Sequence, residues 1–309
     1  MGEVKKNVDL FGNEIIEDVL LRDKFIEPPF SVLDSKNGGW RNRKNQWLRL
    51  GIQSEVGRDS MAYNFNSKKS SDVSDINNNK WSESTKDYVK RFAGKNEGVS
   101  VFDPALCEVI YHWFCPKGGE VLDPFAGGSV RGIVANYMGF KYTGIDIRQE
   151  QIDSNREQSL DILKVNNQPN WYVGDSNEVL DEFNKEFDFV FSCPPYADLE
   201  VYSDLEGDIS NMNYEEFITA YESIIKKSCN LLKSGGYACF VVGEVRHNKD
   251  LYYNIVGDTV KAFIKAGMGY YNELIYLQSL GNAGMRANRY MKSQKVVKVH
   301  QNVLVFKKP

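Results

Sequence analysis

From residue 102 onward, short apolar runs alternate with stretches in which apolar residues recur every three or four positions. Runs of the first kind predict strands, and stretches of the second kind predict amphipathic helices. Strands are predicted at residues 120–123, 141–146, 171–175, 187–193, 237–245, 271–277 and 299–306, and helices at 104–114, 130–138, 149–163, 178–183, 214–232 and 252–266. Asp103-Pro104 opens the first helix, with aspartate as a cap and proline tolerated in the first turn. Lys233-Ser234-Gly235-Gly236 is expected to stop the helix over 214–232. This alternation is the pattern of an α/β fold: a mostly parallel sheet of seven strands with helices on both faces. The last two strands are joined by a stretch expected to be a loop, too short for a helical crossover, so the final strand should run antiparallel.

Residues 1–100 follow a different pattern. Pro28-Pro29 and a few apolar anchors suggest ordered but irregular chain. From Lys36 to Arg58 six Lys/Arg face one Glu, a local net of +5, with Trp40 and Trp47 interleaved among Arg41, Arg43, Lys44 and Arg49. Two readings are open: cations gripping phosphates with an aromatic stacked on a base, or a solvated basic loop whose tryptophans pack on the main domain. Residues 61–100, rich in Ser, Asn, Lys and Asp, read as a polar linker. The expected division is therefore an extension over 1–100 and a main domain over 101–309.

The composition narrows the function. A net charge of −4 excludes a globally basic nucleic-acid binder, so any such contact must come from local patches. One patch is the stretch above. The other is Gly281–Lys298, net +5 without an acid, carrying Arg286, Arg289, Lys292, Lys295 and Lys298. Five dispersed cysteines without Cys-x-x-Cys argue against a disulfide framework or a zinc site and fit a reducing cytoplasm. No metal site and no membrane span is expected.

Three successive predicted strands end in aspartate: Asp123, Asp146 (followed by Ile147) and Asp175 (followed by Ser176). Ligands of open α/β sheets bind beyond the carboxyl ends of the strands, where such carboxylates can accept from a ribose or an amino group. The turn after the first strand, Asp123-Pro124-Phe125-Ala126-Gly127-Gly128-Ser129, lacks the Gly-x-Gly-x-x-Gly that seats a pyrophosphate. A cofactor without a pyrophosphate fits better.

That turn resembles the S-adenosylmethionine motif of DNA amino-methyltransferases, which modify N6 of adenine or N4 of cytosine. Phe102-Asp103-Pro104 stands where that family places a further cofactor motif, and Ser192-Cys193-Pro194-Pro195-Tyr196 resembles its catalytic motif. The likeness spans about residues 100–309 and extends to small phage and prophage methylases. It implies a Rossmann-like class I methyltransferase sheet, S-adenosyl-L-methionine as cofactor, and double-stranded DNA with a flipped base as partner. The two basic patches would flank the cleft and hold phosphates, and an accompanying restriction enzyme is open. In this chemistry acceptors fixed around the amine, the Pro194 carbonyl among them, aim its lone pair at the methyl sulfonium, and Tyr196 stacks on the flipped base.

The chain departs from the pattern at one position. Where the family has Asp, Asn or Ser, this sequence has Cys193, and a thiol is a weak acceptor. Ser192 is adjacent but should point the other way if the strand continues. A C5-pyrimidine methyltransferase, with Cys193 as nucleophile and Glu244 as acid, is therefore a second reading. An RNA methyltransferase and an inactive fold that binds DNA are the others.

Overall fold

A computed structural model describes residues 21–52, 102–195, 205, 207–247, 251–278, 280 and 283–309. Tyr196, the polar stretch 61–100 and most of the acidic segment after Ala197 lie outside the described residues. The helices are α1 (Leu21–Phe25), α2 (Gly38–Arg49), α3 (Pro104–Phe114), α4 (Val130–Tyr137), α5 (Gln149–Ile162), α6 (Ser176–Val179), α7 (Tyr214–Asn230), α8 (Ile255–Lys265) and α9 (Ala283–Met291). The strands are β1 (Val32–Asp34), β2 (Glu120–Asp123), β3 (Lys141–Asp146), β4 (Asn170–Val173), β5 (Phe187–Ser192), β6 (Leu232–Val242), β7 (Gly269–Leu277) and β8 (His300–Lys307).

The sheet is Rossmann-like and mixed, in the order β1-β7-β8-β6-β5-β2-β3-β4. β8 runs antiparallel to both of its neighbours, and every other pairing is parallel. The expected antiparallel last strand is therefore present, but among the described residues the sheet has eight strands rather than seven. The eighth comes from the N-terminal extension: Val32, Leu33 and Asp34 pair in parallel with Ile275, Tyr276 and Leu277. One hydrophobic cluster, on one face, takes Trp40, Trp47 and the inner side of α3 and α4. A second, on the other, takes α7, α8 and the opposite sides of β5, β6 and β8. Leu33, Trp40 and Trp47 share the first cluster with α3 and α4.

Two local expectations need correction. Lys233 to Gly236 lies within β6 rather than between elements. Gly235 takes φ +78°, and the register slips so that Phe187 faces Leu232 while Phe189 faces Tyr237, a bulge that a glycine accommodates readily. The connection between β7 and β8, expected to be a loop, contains helix α9.

Candidate cofactor and acceptor site

The strand order reverses direction between β2 and β5, and the connections leaving them diverge to opposite faces of the sheet. The carboxyl ends of β2, β3, β5 and β6 therefore frame a crevice at this switch point. The turn that follows β2 is held from inside. Asp123 is fully buried; its Oδ1 accepts from the Phe125 amide at 3.1 Å and the Ser192 hydroxyl at 2.6 Å, and its Oδ2 from Arg131 Nε at 2.6 Å and the Tyr142 hydroxyl at 2.7 Å. Arg131 Nη2 also donates to the carbonyls of Phe125 at 2.6 Å and Ala126 at 2.9 Å. Burial is the largest single influence and works against the Arg131 charge, but its neighbours together, Asp123 first among them and then Tyr142 and Cys193, raise the guanidinium pKa above its ordinary value. Burial, and then the same carboxylate, raises the Tyr142 pKa, so its phenol stays protonated and donates.

The outer half of the turn is built differently. Gly127 takes φ +51°, its amide donates to Asp146 Oδ2 at 2.9 Å, and its carbonyl accepts from Asn155 Nδ2 at 2.7 Å. Gly127 and Gly128 are half-buried, as are Asp146 and Ile147 beside them. Asp146 Oδ1 accepts from the Arg148 amide at 2.9 Å. Ser129, buried at the start of α4, donates to Gln158 Oε1 at 2.5 Å. Asp175 caps α6 through the Asn177 amide at 2.8 Å, and Ser176 Oγ donates to the Pro124 carbonyl at 2.5 Å, tying the ends of β4 and β2 together. Gly207, at φ +90°, brings the end of the acidic segment against Asp175 and Ile147: a Cβ there would sit 3.1 Å from Asp175 Oδ2 and 3.5 Å from Ile147 Cδ1.

The carboxylates expected to meet a ligand thus divide into two kinds. Asp146 and Asp175 are half-buried at the sheet edge. Asp123 and Asp103 face inward, contrary to expectation. Asp103 caps α3 through the Ala105 amide, and its Oδ2 accepts from Trp40 Nε1 at 3.2 Å, Lys44 Nζ at 3.2 Å and the Tyr276 hydroxyl at 2.6 Å. With Asp103 and Asp123 buried and every oxygen engaged, their role is to hold the framework. Between them, Phe102 lies against the Arg131 guanidinium, 4.6 Å from its ring centroid, while Pro104 is buried in the first turn of α3. Arg131 was not among the expected site residues. The available signal was the only charged side chain in the segment Val130–Tyr137, directly after the glycine turn.

At the exit of β5, Ser192 is fully buried and its hydroxyl is committed to Asp123, so it is not positioned to act on a substrate. This corrects its place among the catalytic candidates. Cys193 is half-buried and packs at the margin of the core, followed by buried Pro194 and half-buried Pro195. Glu244 follows the neighbouring strand, β6. Its Oε1 accepts from the Val256 amide in the first turn of α8 at 3.0 Å, while its Oε2 is buried and finds no hydrogen-bond partner among the described residues.

The two basic segments diverge. In α2, Trp40 is 1% exposed and Trp47 is buried, so neither can stack on a base. Arg43 pairs with Glu108 at 2.7 Å and Lys44 with Asp103 at 3.2 Å. Trp47 packs edge-on against Tyr137 at the end of α4, with ring centroids 5.0 Å apart, which puts the nearby Arg49 toward the edge of the sheet opposite the crevice. Of the expected set, Arg41 and Arg49 are exposed. α9, by contrast, leaves after Leu277 and returns at His300, residues that pair at the carboxyl edge. Arg289 and Lys292 are exposed there, and Arg286 and Lys295 are half-buried. Among the described residues no helix is long and apolar enough to cross a membrane.

No family model matches the chain, and no curated protein matches it. Solved structures of similar topology include TrmN from Thermus thermophilus, 15% identical over 67% of this chain and 49% of its own, with a TM-score of 0.45. A TehB-like SAM-dependent methyltransferase from Corynebacterium glutamicum is 17% identical over 73% of this chain and 98% of its own, with a TM-score of 0.41. TTHA0409, a suspected DNA modification methylase also from Thermus thermophilus, is 25% identical over 44% of this chain and 52% of its own, with a TM-score of 0.34. The chain spans about half the length of TrmN. Likenesses this distant do not assign an activity.

Proposed function

We propose that the protein is an S-adenosylmethionine-dependent methyltransferase acting on the exocyclic amine of a DNA base, N6 of adenine or N4 of cytosine. The observation that carries this reading is the convergence at one sheet edge of an internally braced glycine turn, two half-buried carboxylates and the Cys193-Pro194-Pro195 exit. The donor set suits the cofactor, which carries an ammonium, a sulfonium and a ribose but no phosphate. Asp146 and Asp175 offer acceptors to hydroxyl and amino groups, and Ile147 offers an apolar side to a purine. When bound, S-adenosylmethionine supplies an electrophilic methyl group. Gly127 and Gly128 allow close backbone approach, and the Arg131–Asp123 pair keeps the turn rigid against the sheet.

The chain's contribution to transfer is orientation. The two prolines after β5 stiffen the backbone beside the acceptor, so that a carbonyl there can take one amine hydrogen and localise the lone pair. Cys193 lines that position as a compact side chain. Glu244 retains a specific reason for the rival C5 chemistry: it follows β6, the strand paired with β5, and its buried Oε2 has no hydrogen-bond partner among the described residues. Against that role, its other oxygen is committed to the start of α8.

The test is to incubate the full chain with labelled S-adenosylmethionine and DNA and identify the modified nucleoside by mass spectrometry. N6-methyladenine or N4-methylcytosine is expected; 5-methylcytosine, or label in RNA alone, overturns the reading. Cys193→Ser should continue to methylate an amine, because a hydroxyl accepts hydrogen bonds better than a thiol, whereas C5 transfer would be abolished.

A further inference from the structure

α9 has two distinct faces. Ala283 is buried, and Arg286 and Tyr290 are half-buried on the side turned to the protein. Met285, Asn288 and Arg289, spaced three and four apart, are exposed on the other side, Met285 at 80%, and Lys292 is exposed just past the end of the helix. Helical geometry places Met285, Asn288 and Arg289 on one stripe. The connection that carries them has a net charge of +5 without an acid. It leaves and re-enters the sheet at the edge that bears the glycine turn and Cys193. Met291 and Val296, at 60% and 65% exposure, are further exposed apolar side chains of this connection.

An element that merely attracted phosphate would need cations alone. Here the outward stripe also includes an amide and a guanidinium, the side chains that pair bidentately with adenine and guanine edges, together with a flexible apolar methionine suited to a thymine methyl. An α-helix with its side chains is about 10–12 Å across and fits the roughly 12 Å width of the B-DNA major groove. We infer that α9 is a base-reading element: its Met285–Asn288–Arg289 stripe enters the major groove of double-stranded DNA and sets the sequence context of the modified base, while Lys292 holds the adjoining phosphate. This rests on the proposed DNA methylation and adds to it the element that reads sequence.

The experiment methylates a random-sequence duplex library with the full-length protein and reads the context of each modified base. Wild type should modify one context. Asn288→Ala and Arg289→Ala should each relax discrimination at one base position by roughly 5- to 150-fold while the remaining positions stay fixed. Lys292→Ala should lower methylation of all contexts alike and reduce the slope of log affinity against log salt by about 0.9. These side chains are exposed, and unchanged thermal unfolding verifies that each variant is folded. If both base-reading variants keep the wild-type context, or if wild type shows no context preference, the α9 assignment is overturned while DNA methylation stands. If wild type methylates no DNA at all, the underlying reading fails and the α9 assignment falls with it.

Discussion

Helices α2 and α9 have similar compositions. Each carries arginines next to large apolar side chains and no acid within the helix. They fold in opposite senses. α2 turns its tryptophans into the core and places Arg43 and Lys44 on carboxylates of the α3 segment. α9 turns only Ala283 fully inward and leaves Met285 and Arg289 in solvent. The difference lies in the neighbours rather than in the helices. Buried Asp103 and half-buried Glu108 provide α2 with acceptors for two indole N–H groups and two cations. A basic, aromatic stretch is therefore a nucleic-acid signal only where the fold offers no acceptors to absorb it.

The largest test of this contrast is packing. Trp40→Ala should destabilise the protein by about 3–5 kcal/mol, as expected for a large buried aromatic, whereas Met285→Ala should stay within about 0.5 kcal/mol; denaturant titration measures both. Comparable losses for the two variants would show that α9 is packed as tightly as α2. The next test is charge. Arg43→Ala should cost about 1 kcal/mol of stability through the lost Glu108 pair. Arg289→Ala should leave the unfolding temperature in place and instead relax the discrimination of DNA methylation at one base position.

The smallest expected effect concerns pH at the foot of the α9 connection. Burial first, and then Lys298, holds His300 below its ordinary pKa of 6.5, with Glu273 opposing. A histidine with a depressed folded pKa contributes stability that is complete above pH 6.5 and is lost as the pH falls through the folded value. His300→Gln should remove that component. An unfolding series from pH 7 downward should then show a shallower decline for the variant than for wild type, and identical slopes would dismiss the histidine as a contributor.

The strands were legible because apolar runs ending in Asp123, Asp146 and Asp175 are local signals, as are the glycines of the turn. The inward roles were not, because they depend on partners far along the chain. Ser192 meets Asp123 across 69 residues and Trp40 meets Asp103 across 63. No local pattern tells whether a carboxylate at a strand end will face a ligand or a buried arginine. β1 escaped notice for a similar reason: three residues have too little pattern to mark a strand, and their place is set by pairing with β7. α9 was hidden by Gly284 in its first turn and by apolar residues that face outward, which breaks the usual periodicity of a packed helix.

The short strand β1 has a further consequence. It covers the far half of β7, where Ile275 to Leu277 would otherwise present unpaired amides and carbonyls at the margin of an eight-stranded sheet. A three-residue strand is itself a poor template for another chain, so it acts as a stopper against edge-to-edge assembly. Cutting the protein back to residue 102 would therefore do more than remove an appendage. It would open a sticky seam along β7 and turn a self-contained sheet into one that recruits its own copies.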